Sequence, residues 1–112
     1  MTGSTLVASL RRVEVAGPSM LPTLAPGDRL LALAHAPVGV GAIVAAREPG
    51  TGRLVCKRVA AVGPDGRYEL RGDNAGASTD SRHWGPVPPD AIVGRIIWRY
   101  HPADASGRIP GP

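Results

Sequence analysis

Glycine and proline cut this chain into apolar runs too short for helices. The longest uninterrupted ones, such as Leu30 to Ala34, are five residues. An amphipathic helix needs about 10–12 residues of 3.6-residue periodicity, whereas a strand needs only about 4–8. Turn signals separate the runs: Pro26-Gly27-Asp28, Gly39 to Gly41, Pro49-Gly50-Thr51-Gly52 and Gly63-Pro64-Asp65-Gly66. They leave strand candidates at Leu10–Val15, Arg29–His35, Ala42–Arg47, Arg53–Val62, Arg67–Arg71 and Ala91–Tyr100. Short strands at this spacing predict an all-β domain of the barrel or sandwich type. Fifteen glycines and twelve prolines would also suit a low-complexity chain, but an apolar fraction of 43% is that of a folded domain.

The chain is long enough for one domain. Residues 1–9 are expected as a flexible N-terminus, 10–102 as the domain and 103–112 as a flexible tail. Gly72 to Pro89 has no period and predicts a long functional loop. Trp98 and Tyr100 share one face of the last strand candidate and are expected in the core. The net charge is +4, with the arginines scattered and no basic run longer than Arg11-Arg12. That pattern argues against nucleic-acid binding and for a solvated basic surface. A single cysteine, Cys56, excludes an internal disulfide and fits a reducing compartment. No run approaches the roughly 20 apolar residues of a membrane span, and the N-terminus lacks a signal-peptide apolar region. The expected placement is therefore cytoplasmic, without a transmembrane anchor and with only weak peripheral membrane contact. His35, His83 and His101 form no tight ligand spacing, so neither a metal nor another cofactor is expected.

Of the thirteen basic residues only Lys57 is a lysine. Arginine stays protonated in proteins, whereas a desolvated lysine can act as a base. On a strand, Val55, Lys57 and Val59 point to one face and Leu54, Cys56 and Arg58 to the other. At pH 7 only about one lysine in 2,500 is neutral, and burial lowers the pKa by up to roughly 3–5. Upstream, Gly17-Pro18-Ser19-Met20-Leu21-Pro22 holds a serine in a rigid turn. Serine with a neutral lysine is a variant of the nucleophile and base pair. Taken singly, Lys57 also reads as a snorkelling surface lysine and Ser19 as a turn hydroxyl.

Three segments together resemble the type I signal peptidase family of Ser-Lys proteases. They are Gly17 to Leu24 with Gly27-Asp28, then Cys56-Lys57-Arg58-Val59 with Val62-Gly63, then Gly72-Asp73-Asn74 with Ser78, Asp80-Ser81-Arg82, Gly85 and Val87. The resemblance implies a compact signal-peptidase-like β core with Ser19 as nucleophile and Lys57 as general base. It further implies that Ser78 orients the Lys57 amine and that Asp80 and Arg82 form a supporting ion pair with Arg58 nearby. Gly17, Met20, Asp73 and Asn74 would border the substrate cleft, and His83 and Trp84 are expected to wall it. Some members place a serine where Gly17 stands, many carry membrane helices before the serine, and many insert a second β domain after the lysine. Lacking these, the chain resembles the short branch that removes the propeptide of nickel-type superoxide dismutase. The implied partner is then the N-terminal segment of a precursor protein. The alternatives are a protease of secreted preproteins and a β interaction module without catalysis.

Overall fold

A computed structural model describes residues 9–109. It has seven strands: β1 (Leu10–Glu14), β2 (Arg29–Leu33), β3 (Ile43–Arg47), β4 (Leu54–Val62), β5 (Tyr68–Arg71), β6 (Ile92–His101) and β7 (Gly107–Arg108). All pair antiparallel in one sheet of order β1-β2-β6-β3-β4-β5, with β7 added to β6. The domain is mainly β, as the spacing of turn signals predicts, and the six strand candidates all form. The only α-helix among the described residues is one turn, α1 (Ser81–Trp84).

β3 explains how the sheet is held. Its run Ala42–Ala46 is buried on both faces, which is why it carries no polar residue. Ile43 and Ala45 join Val13, Val15, Met20, Leu24, Leu30, Ala32, Cys56 and Ile96 in one core. Ala42, Val44 and Ala46 join Val59, Leu70 and Val87 in a second core on the opposite face. Strand alternation thus sends Cys56 into the first core and its neighbours Lys57 and Val59 to the second side.

Two expectations are corrected. Trp98 and Tyr100 are exposed, at 44% and 36%, rather than in the core. Leu31 pairs with Trp98 while the next residue, Ala32, pairs with Ile96, so Ile97 is an extra residue in β6. That bulge reverses the alternation: Ile96 points inward and Trp98 outward. Arg99 turns in instead, donating to Asp28 Oδ2 at 2.9 Å and to the Thr23 and Ala105 carbonyls. The second correction concerns the tail. Residues 103–105 form a 3-10 turn, β7 pairs with β6, and Ile109 is buried in the first core. The N-terminal segment expected to be flexible lies, except for Ser9, outside the described residues, as do 110–112.

Candidate active site

The antiparallel sheet leaves two strand edges facing one another. β1 is the end strand of the sheet, paired only with β2. β4 pairs with β3 along Leu54–Arg58, but its pairing with β5 begins only at Arg58. Between these free edges lies a cleft of about 270 Å³, lined by Glu14 to Met20 on one side and Arg53 to Lys57 on the other, with Glu48, Ala77 and Thr79. Both strands run toward the same end, where Ser19 and Lys57 stand.

The serine turn is held from behind. Gly17 has φ +78°, a left-handed conformation that favours glycine. Asn74 donates from its backbone N–H to the Ser19 carbonyl at 2.9 Å and from its side chain to the Pro18 carbonyl at 3.2 Å. Met20 is buried under the turn, in the first core and at the cleft floor. Asp73 takes two bonds from Arg58, at 2.9 and 2.8 Å, and one from the Thr23 hydroxyl. Arg58 also donates to the Gly41 carbonyl at 2.8 Å. These bonds lower the Asp73 carboxyl below the usual range, the guanidinium of Arg58 being the main cause.

Lys57 is buried, 4% exposed. Its Nζ donates to Ser78 Oγ at 3.2 Å, and Ser78 Oγ donates to Asp80 Oδ2 at 2.6 Å. Asp80 is fully buried. It accepts from the Gly72 N–H at 2.9 Å and takes two side-chain bonds from Arg82, at 2.9 and 2.8 Å. It also caps α1 by accepting from the Arg82 N–H at 3.1 Å, while His83 Nδ1 accepts the Asp80 N–H at 3.3 Å. Burial alone would raise the Asp80 carboxyl. The hydrogen bonds from Arg82, Ser78 and Gly72 outweigh it and hold the group far below the usual carboxylate range. Burial lowers the Lys57 amine from its ordinary value, opposed by the negative charge of Asp80 and Glu48. Cys56, behind Lys57 in the strand, is pushed up to about 12 by burial and stays a thiol.

The structure brings Ser19, Lys57, Gly17 and Met20 to one cleft and joins Lys57 to Ser78, Asp80 and Arg82. It places Arg58 with Asp73 rather than beside Asp80 and Arg82. Asp73 and Asn74 are not among the cleft-lining residues and brace the serine turn. His83 and Trp84 do not wall the cleft: His83 completes the α1 cap, and Trp84 packs on the second core. Sequence reasoning gave no individual role to four positions. Gly72 touches both halves of the site, since a Cβ there would lie 2.3 Å from Ser78 Oγ and 2.5 Å from the Ser19 carbonyl. Thr23 lies within the serine segment and gave no sign of its partner. Glu48 and Arg53 flank the Pro49–Gly52 turn, and reading that turn as a hairpin would have paired them.

The all-β domain thus holds a serine and a buried lysine on one cleft. Sequence comparison gives the family: a profile described as "Signal peptidase, peptidase S26" matches residues 2–66 and 63–101, and the chain belongs to that family. It is 38% identical to mitochondrial ATP-independent inner membrane protease subunit 1a of Arabidopsis thaliana, across 86% of this chain and 73% of that protein. It is 34% identical to mitochondrial inner membrane protease subunit 1 of Mus musculus, across 80% and 69%. Over a shorter stretch, 35% of this chain, it is 49% identical to thylakoidal processing peptidase 1 of Arabidopsis thaliana. These relatives overturn the cytoplasmic expectation, because those matching most of the chain are named for a membrane, the mitochondrial inner membrane. That expectation was drawn from an absence, which does not establish a location. Among the described residues no helix is long and apolar enough to cross a membrane.

Proposed function

We propose that the chain is an endopeptidase in which Ser19 is the nucleophile and Lys57 the general base, cutting an extended segment of a precursor protein. The observation that carries this reading is Lys57 buried in the cleft that holds Ser19, with an amine N–H committed to Ser78. Donating to Ser78 aims the amine and leaves its lone pair for another direction once the group is neutral. Burial favours that neutral form.

The Lys57 amine takes the proton from Ser19 Oγ as the oxygen attacks the scissile carbonyl carbon. The Ser19 N–H, with no acceptor among the described residues, donates to the developing oxyanion. When the C–N bond breaks, the Lys57 ammonium returns the proton to the leaving amine. An ester of Ser19 remains. Lys57 then takes a proton from water, hydroxide adds to the ester carbonyl, and the proton passes to Ser19 as the acid departs. The free backbone edges of β1 and β4 suit a substrate strand lying between them.

For the substrate we propose an N-terminal propeptide, with the precursor of a nickel-type superoxide dismutase as first candidate. Supporting it is the short β4–β5 hairpin where larger family members insert a domain. A second reading, a preprotein at a membrane, is favoured by the names of the relatives. Exposed Leu10, Trp98 and Tyr100 beside Arg12 and Arg108 would suit peripheral contact with anionic lipid. Mass spectrometry of the dismutase precursor incubated with the protein tests the first reading. A single cut at the propeptide junction, absent with Ser19→Ala, supports it. An intact precursor, beside flotation of the protein with anionic vesicles and cutting of a membrane-bound preprotein, transfers the assignment to the second.

A further inference from the structure

The end of the cleft away from Ser19 is charged. Strand alternation sets Lys57, Val55 and Arg53 on one face of the β3–β4 hairpin with Val44, Ala46 and Glu48. Glu48 and Arg53 therefore line the far end, and Glu14 borders it from β1. Two carboxylates stand there, each met by its own guanidinium, Glu48 by Arg53 and Glu14 by Arg29. The Glu48 side chain is only 9% exposed, and the Thr51 hydroxyl donates to its Oε1 at 2.8 Å. Arg53 reaches Oε2 at 3.4 Å with a side chain 71% exposed. Glu14 meets Arg29 at 3.7 Å, both largely in solvent. A buried carboxylate fixed by a hydroxyl and only loosely met by an exposed guanidinium has attraction left for another cation.

We propose that Glu48 and Glu14 form a distal subsite that selects a lysine or arginine side chain of the substrate, four to five residues before the scissile bond. The inference rests on the Ser19–Lys57 reading. Arg53 lies four residues before Lys57 on β4, about 13 Å at about 3.3 Å per residue, and Glu14 lies five before Ser19. A substrate strand between the two edges covers that distance with four or five residues. The half of the substrate before the scissile bond stays esterified to Ser19 after the first step, so it is the half the cleft must hold. An incoming basic side chain takes over the long contact to Glu48, and Arg53 moves to solvent.

The test uses peptides around a cleaved junction, identical except for Lys, Ala or Glu at the fourth and fifth upstream positions. Each is titrated by calorimetry against the Ser19→Ala protein, and kcat/KM is measured with the unaltered one. The Lys peptides should bind at least about fivefold more tightly than the Ala peptides, and the Glu peptides more weakly. Glu14→Lys, at an exposed position, should abolish or invert that order, and Glu48→Gln should shrink it. The ratio between peptides within each variant is the readout, because Glu48 also bears on Lys57. Equal binding of all three peptides, or preference for Glu, overturns the subsite. Cleavage that persists in Ser19→Ala overturns the Ser19 assignment instead and leaves the binding order to decide the subsite.

Discussion

At the scale of single residues, Lys57 concentrates the proposed chemistry. The sequence marks it as the one amine in a chain of guanidinium groups, and strand alternation gives its neighbours. Its burial depends on the register of β4, and its bond to Ser78 was legible only through the family resemblance, because the loop that carries Ser78 has no period. Lys57→Met should fall at least about 10³-fold in kcat/KM while keeping its far-UV circular dichroism and melting point within a few degrees. A folded variant that cuts at the original rate would remove Lys57 as the base. The rate should rise with pH as the amine loses its proton, with the acid limb below the ordinary lysine value of 10.5 because burial lowers the group. Glu48 holds that value up, so Glu48→Gln should shift the limb to lower pH; an unmoved or upward-shifted limb contradicts the coupling. Gly72 was visible only as part of a motif. Gly72→Ala must displace Ser78 or the Ser19 carbonyl, given the 2.3 and 2.5 Å contacts, and should cost more than tenfold in kcat along with a lower melting point. Unchanged values of both would mean the loop yields freely.

Among the elements, the six strands were legible because each is bounded by turns whose chemistry is local. What escaped depends on partners distant in sequence. β7 is two residues in a Gly/Pro-rich tail, and only β6 makes it a strand. α1 is one turn, formed because Asp80 and His83 cap it reciprocally. The bulge at Ile97 reversed the facing of Trp98 and Tyr100, and nothing in the apolar pattern of Ile96 to Tyr100 announces it. The site itself is an agreement between two loops, since Asp73 and Asn74 bind the serine turn while Ser78, held by Asp80, binds Lys57. Asp73→Asn weakens the link from Arg58 to Thr23 and should lower kcat about tenfold with a smaller change in KM. An unaltered kcat would show that Asn74 alone holds the turn.

Over the whole molecule, the two cores share β3, and the proposed catalytic apparatus sits where the sheet leaves its edges open. The buried Asp80 links stability to pH. Its carboxyl is held below the usual range in the fold, so the unfolded chain binds the proton more readily. The stabilisation is complete above the ordinary carboxylate pKa and is lost as pH falls through the lower, folded value. Melting temperature should therefore fall steadily below about pH 4. Asp80→Asn should lower it by roughly 5–10 °C at pH 7 and flatten the acid dependence. Parallel melting curves for the two proteins between pH 2 and 7 would place the acid sensitivity elsewhere.

The open edges of β1 and β4 carry one more consequence. A chain that fits between two strand edges is extended, with its backbone hydrogen-bonding groups free to pair on both sides. A helical or folded stretch has spent those groups internally and must melt first. Under the proposed function, the timing of cleavage is then set by the substrate's own folding. A precursor is trimmed while its leader is loose, and a leader that docks onto the mature domain escapes.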